Sequence, residues 1–285
     1  RAFRAYLEAE LFGAPLEAFS ALDSLAALEA WRSGDVGLFL EIAADLELAG
    51  SGIGAGHYLS FGAYPGPDGT AFARGTYQNG VWDALDPAAI IEDLSHAWML
   101  GADAHPAAGQ TLPDAAMRDD AYSWCKAPRL AGQSYETGAL ARQIVDGHPL
   151  ARALAEEGGV RARIVGRLLE IARSQIWLEG LLEKIDPNQG FMNRITMPDT
   201  GDGVGLVEAA RGALGHWLSV RDGQISAYQI IAPTTWNFSP RDRAGAAGPV
   251  EAALVGAPVT EGEDTPLSVQ HIVRSFDPCM VCTVH

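Results

Sequence analysis

At 285 residues, 48% of them hydrophobic, the chain can bury a substantial core and fits one large domain or two modest ones. Twenty Lys and Arg against 36 Asp and Glu leave a net charge of −16, which argues against a nucleic-acid partner and against an anionic membrane surface. No apolar run reaches the roughly 18 to 20 residues that span a bilayer, and the opening RAFRAYLEAELFGAP is amphipathic, so a cytoplasmic chain with no membrane insertion is expected.

Residues 1–12 set Phe3, Tyr6, Leu7 and Leu11 on one helical stripe, stopped by Gly13 and Pro15. A start with neither methionine nor a cap suggests a segment of something longer. From Pro15 to about Leu48 the pattern is again helical, with a break near Ser33 and Gly34. Residues 51–69, SGIGAGHYLSFGAYPGPDG, change to loop plus short strands. Gly52, Gly54 and Gly56 have G-x-G-x-G spacing, with no strand leading in and no helix following, so a dinucleotide loop is not read from them. Between Val160 and Ile185, Ile164, Leu168, Ile171 and Leu178 recur at helical spacing while Arg163, Arg167 and Glu170 mark a wetter side. The spacing predicts a core helix of about 25 residues, ended by Asp186 and Pro187. Next, His216–Val220 and Gln224–Ile231 alternate around Arg221-Asp222-Gly223, a hairpin signal.

The last eleven residues, SFDPCMVCTVH, hold two of the three cysteines and end on a histidine. Cys279, Cys282 and His285 fall at i, i+3 and i+6, a spacing that lets two sulfurs converge in a turn. Thiolates are soft ligands and favour nickel, zinc, copper(I) or iron. The rival readings are a dithiol redox pair or half of a four-ligand zinc site. No second half is present. Cys125, in YSWCKAPR, reads as a buried small residue, and His57, His96, His105, His148, His216 and His271 are scattered singly, as surface or hydrogen-bonded core histidines are. Spacing alone gives a metal half-site with the metal open.

The terminal D-P-C-x-x-C-x-x-H, Asp277 to His285, resembles the C-terminal signature of nickel-iron hydrogenase large subunits. Three upstream blocks resemble others of that family, in family order: YSWCKAPR (122–129), EAARGALGHW (208–217) and YQIIAPTTWNFSPRD (228–242). Together they cover most of the chain. The resemblance implies an α+β fold, mainly α with small antiparallel β elements around a long core helix bundle. It implies residues 1–285 as a single domain, the C-terminal portion of a large subunit whose N-terminal R-x-C-G-x-C part is absent. It also implies a mature-type ending, since the family's precursors are trimmed after this histidine.

The activity implied is H2 → 2 H+ + 2 e− at a nickel-iron centre with CO and CN on iron. By the same resemblance Cys279 is the terminal nickel thiolate and Cys282 a bridging one. His285 is a ligand to a nearby magnesium or similar cation, with the carbonyl of Ile230 as another. Arg211 stands over the open side of the metals, Asp277 holds it, and Pro233 and Thr234 belong to the pocket that hydrogen-bonds a cyanide. The partners implied are dihydrogen, an iron-sulfur small subunit, because this chain has too few cysteines for clusters, and the N-terminal part of the large subunit. An arginine with a solution pKa above about 12 is a poor base, which favours the Cys279 sulfur as proton acceptor and Arg211 as an electrostatic positioner. An Asp277–Arg211 pair would be charge-assisted, and its plain alternative is a structural salt bridge. A working site needs a dry pocket, so the C-terminal segment is expected to be buried.

Ala210 stands where many relatives carry proline. With the ending CMVCTVH it resembles the group of cytoplasmic hydrogen sensors and cyanobacterial-type uptake enzymes. Two other classes remain: a metal-free, hydrogenase-like structural subunit of a respiratory complex, against which Cys279 and Cys282 argue, and a regulatory interaction protein.

Overall fold

The computed structural model describes residues 2–66, 69–190, 192, 195–259 and 261–279; Cys282 and His285 lie outside the described residues. The chain is helical up to Asp45. Helix α1 (Ala2–Tyr6) passes into a π-turn at Leu7–Leu11, followed by α2 (Leu16–Ser20), α3 (Leu25–Glu29) and α4 (Gly34–Asp45). The stripe predicted over residues 1–12 is only half right. The wide π-turn rotates the chain, so Leu7 and Phe12 are buried while Phe3 and Tyr6 stay exposed. Residues 15–48 also break more often than expected. Ser24 starts α3 afresh by accepting the Ala27 N–H on its hydroxyl.

The middle of the chain alternates sheet and helix. Strands β1 (Tyr58–Gly66), β2 (Gly69–Gln78) and β3 (Val81–Asp83) form an antiparallel meander, and β4 (Ile90–Asp93) pairs with β5 (Ala127–Leu130). The β1–β2 hairpin runs from Tyr58↔Tyr77 to Gly66↔Gly69. It is longer than the short strands expected, because glycines and a proline interrupt the alternation that would have marked it.

Helices α5 (Ala139–Val145), α6 (Pro149–Glu157) and α7 (Val160–Lys184) form the bundle. Phe12, Leu16, Phe19 and Leu28 pack against Ile144, Leu150, Val165 and Leu169 to make the main core. A Cβ at Gly166 would lie 2.6 Å from the Leu140 Cα, so only glycine lets α5 and α7 approach this closely. The bounds of α7 agree with the periodicity; its orientation does not. Arg163 is buried, whereas Ile171 and Leu178 are exposed. The stripe that reads as wet faces charged partners inside the molecule, and the helix buries nothing beyond Ala172.

The third sheet comprises β6 (Thr200–Ala209), β7 (Gly212–Arg221) and β8 (Gln224–Ile231), all antiparallel. The β7–β8 hairpin is the one expected: Asp222 and Gly223, at φ 53° and 70°, form the left-handed pair of its turn. Strand β6 is new. Its register ends at Ala209↔Gly212, which makes Ala210 and Arg211 the two-residue tip of a hairpin. Short helices α8 (Pro233–Asn237), α9 (Pro249–Leu254) and α10 (Leu267–Ser275) close the chain. Among the described residues no helix is long and apolar enough to cross a membrane.

Candidate metal centre

Three segments meet at one end of the bundle: the β6–β7 tip, the start of α8, and the end of α10 with residues 276–279 after it. The tip is clamped from below by Arg142 of α5. Its guanidinium gives Nη1 to Glu208 Oε2 (2.8 Å) and to the Ala209 carbonyl (3.0 Å). Nη2 reaches the Ala210 carbonyl (2.9 Å) and Glu170 Oε1 (2.6 Å), and Nε reaches Glu170 Oε2 (2.7 Å). Glu208 Oε1 accepts the Phe61 N–H at 2.6 Å. Burial pushes the Glu208 carboxyl up to about 7, against the pull of Arg142. From the side, Gly212 lies flat on Thr137. At φ 135° its missing Cβ would stand 2.3 Å from Thr137 Oγ1. Arg211 therefore projects from a fixed base, its side chain 44% exposed.

Thr137 also holds α8. Its N–H donates to Asn237 Oδ1 and its carbonyl accepts from Asn237 Nδ2, both at 3.0 Å. Pro233 opens α8, where a missing N–H costs nothing. Thr234 is buried, and its Oγ1 accepts the Cys279 N–H at 3.3 Å.

The third segment hangs from α7. Arg163 meets Glu136 through Nε (2.8 Å) and Nη2 (2.9 Å), and gives Nη1 to the Gly52 carbonyl (2.9 Å) and to Ser275 Oγ (3.3 Å). Its guanidinium lies 3.7 Å above the Phe276 ring. Gly52 and Gly54 thus serve the packing of this arginine, Gly54 standing beside both Arg163 and Glu136. One turn along, Arg167 Nη2 donates to the Ser275 carbonyl at 2.6 Å. Burial lowers Arg167 below the ordinary guanidinium value, with Asp277 opposing. Asp277 takes a left-handed backbone at φ 55°, which aspartate tolerates better than most residues. Its Oδ1 is 3.7 Å from Arg211 Nε and its Oδ2 3.7 Å from Arg167 Nε.

Ile230 lines an adjoining open pocket of about 230 Å³ with Cys125, Thr234 and Thr235. Its floor is a buried polar cluster. Glu92 Oε2 accepts from Gln229 Nε2 (2.7 Å) and from Lys126 Nζ (3.3 Å), and Lys126 also donates to the Gln110 carbonyl (2.9 Å). Burial raises the Glu92 carboxyl, with Lys126 opposing. Cys125, expected as a core residue, is half-buried and borders this pocket, Sγ 3.9 Å from the Thr235 carbonyl.

Of the residues picked out in the sequence, the structure brings Arg211, Asp277, Thr234 and Cys279 together, with Pro233 and Ile230 beside them. Cys282 and His285 lie outside the described residues. Among the described residues no three His, Cys, Asp or Glu converge as ligands. The expected burial of the C-terminal segment is met by Ser275 and Phe276, but Asp277 and Cys279 are half-buried. Sequence reasoning missed Arg142, Glu136, Thr137 and the Glu92–Lys126–Gln229 cluster. A signal existed for two of them: Glu136 and Arg142 flank the apolar run Ala139–Ala141, and every residue of α5 is buried.

A C-terminal thiol seated between a helix start and a hairpin tip, with arginines close by, has the layout of a metalloprotein centre. Sulfur is a donor that suits a soft metal. The family model for nickel-dependent hydrogenases matches residues 33–285, and the chain belongs to that family. It is 33% identical over 265 residues to the periplasmic [NiFeSe] hydrogenase large subunit of Desulfomicrobium baculatum, covering 84% of this chain and 51% of that one. It is 33% identical over 294 residues to the hydrogenase-1 large chain of Escherichia coli K12, covering 83% and 49%. Among solved structures, the reduced Ni-Fe-Se hydrogenase of Desulfovibrio vulgaris Hildenborough superposes with a TM-score of 0.80 at 32% identity, covering 88% of this chain and 57% of that one. The chain spans about half the length of the curated relatives it matches. The α+β architecture expected from the resemblance is the one observed.

Proposed function

We propose that this chain is the C-terminal portion of a nickel-iron hydrogenase large subunit, one domain over residues 1–285, that takes part in oxidising dihydrogen. The observation that carries the reading is the convergence of Arg211, Asp277, Thr234 and Cys279 on three separate segments, two of them tied together through Thr137. Cys279 and Cys282 would hold the nickel-iron centre. His285 and the Ile230 carbonyl would hold magnesium, beside the Glu92–Lys126 cluster. The nickel-iron centre, with CO and CN on iron, supplies the acceptor for the electron pair released from dihydrogen.

The chain's own residues handle charge and protons. Arg211 and Arg167 bring positive charge to Asp277, two residues before Cys279. The Cys279 sulfur takes a proton from dihydrogen, because a guanidinium keeps its own at any working pH. Thr234 accepts the Cys279 N–H, and its O–H serves as donor to a cyanide on iron. Two electrons would leave to an iron-sulfur small subunit and the second proton to water, which completes H2 → 2 H+ + 2 e−. The R-x-C-G-x-C portion docks on the half-open face that carries Arg211 and Asp277.

Uptake is the direction favoured by the relatives' names, which include an uptake hydrogenase large subunit of Cupriavidus necator, 29% identical. Hydrogen sensing in the cytoplasm is a second reading, favoured by Ala210 and the ending CMVCTVH; slow turnover and a cytoplasmic fraction in the native cell would support it. The deciding experiment is nickel and iron analysis of the complete matured protein, with infrared spectroscopy for iron-bound CO and CN. Both metals and both sets of bands are expected, and Cys279→Ser is expected to lower nickel per chain at least about tenfold. Matured protein with neither metal nor bands overturns the reading.

A further inference from the structure

We infer that Arg167 of α7 is a positioning residue for this site: it holds one oxygen of Asp277 and so fixes how the other oxygen meets Arg211. The inference rests on the proposed hydrogenase function for its consequence but not for its geometry.

The three arginines of the cleft are not equivalent. Arg163 is spent. Glu136 takes it through two hydrogen bonds, and Gly52 and Ser275 take its Nη1, so it has nothing to offer Asp277. Arg211 stands on a two-residue tip with 44% of its side chain exposed. Only Arg167 is both rooted in a long helix and aimed at Asp277, and its 2.6 Å hydrogen bond to the Ser275 carbonyl fixes it two residues upstream of that carboxylate.

The two Asp277 contacts, one per oxygen and both 3.7 Å, are ion pairs too long to be hydrogen bonds. Their lengths are therefore set by competition, not by a hydrogen-bond minimum. The charge count agrees. Arg163 and Glu136 cancel, which leaves Arg167 and Arg211 to share one carboxylate among the described groups lining the cleft. Without Arg167, Asp277 would be free to swing fully onto Arg211, draw it off its present pose and slacken the turn that leads into Cys279.

The test uses Arg167→Gln, Arg167→Lys, Asp277→Asn and the double variant Arg167→Gln/Asp277→Asn. The first readout needs no metal: amide exchange at Asp277 and Cys279 in metal-free protein. Arg167→Gln should speed both amides at least about tenfold, with Arg167→Lys in between. The second is made on matured protein. Arg167→Gln should keep its nickel, move the iron-bound CO band and lower kcat at least about tenfold with KM unchanged. In the Asp277→Asn background the same change should alter kcat by less than about twofold, since the two act as one unit.

Unchanged exchange overturns the inference, as do fold-changes that multiply in the double variant. If Arg167→Gln does not accumulate, wild-type exchange and kcat in Arg167→Lys overturn it. Wild-type protein lacking nickel and CO bands would sink the functional reading instead, and the exchange experiment would still decide the geometry.

Discussion

Two sets of arginine–carboxylate pairs in this molecule behave as different materials. Arg142 is buried and meets Glu170 and Glu208 at 2.6 and 2.8 Å, with two backbone carbonyls taking the rest of its donors. Arg129 is equally enclosed, with Asp242, Ser239 and three carbonyls around it. Asp277, by contrast, is 41% exposed in its side chain and divides itself between Arg211 and Arg167 at 3.7 Å. An ion withdrawn from water must find every partner inside the protein, because any shortfall is a full desolvation loss. An ion left half in water can hold its partners loosely. The saturated pairs accordingly fix the backbone, while the shared pair leaves a cation that can respond to what arrives beside it.

The comparison breaks most easily at Arg142. Replacing it with methionine keeps the volume but leaves Glu170 and Glu208 facing each other with no cation between them. Removing one member of such a buried network costs about 3 to 5 kcal/mol. In a chain this long the melting temperature should fall by roughly 10 °C, read by calorimetry. A drop of a degree or two would mean that the short distances carry no more energy than a surface pair.

How far the sequence revealed this division depends on the residue. The long helix, the β7–β8 hairpin and the residues later found around Cys279 could all be read, because each is encoded locally: a period of 3.6, an Asp-Gly turn, a contiguous motif. The face of α7 could not. Arg163 and Arg167 sit at helical spacing beside Glu170, a pattern that normally marks solvent. Their partners Glu136 and Asp277 lie 27 and 110 positions away, so only folding discloses that the charged stripe points inward. Strand β6 escaped for another reason. Gly201, Gly203 and Gly205 occupy alternate positions, so one face carries no side chains over the first half of the strand and the apolar alternation is lost there. With β6 hidden, the placement of Arg211 on a hairpin tip was hidden too.

A smaller effect sharpens the comparison at Glu208. Its carboxyl is raised to about 7 by burial, above the ordinary glutamate value near 4.5. A group raised in the folded state binds more protons folded than unfolded, so its contribution to stability is whole below about pH 4.5 and is lost as pH climbs through about 7. Glu208→Gln cannot titrate. Its melting temperature relative to wild type should therefore rise by a few degrees between about pH 5 and pH 7. If wild type instead gains on the variant across that window, Arg142 outweighs burial and holds Glu208 ionised throughout.

The smallest change in stability is expected at Asp277, and it is the one that separates frame from site. Asp277→Asn removes a half-exposed charge shared by two arginines, and exposed pairs contribute about 1 kcal/mol or less. The aspartate also occupies a left-handed backbone position that asparagine accepts equally well, so no strain is added. The melting temperature should stay within about 3 °C of wild type. On the proposed function, hydrogen oxidation by the matured protein should nevertheless fall at least about 100-fold, because the charge that restrains Arg211 has gone while the fold has not. A variant that loses stability in step with Arg142→Met would place Asp277 among the saturated pairs after all; one that keeps both stability and turnover would make its contact with Arg211 an ordinary surface salt bridge.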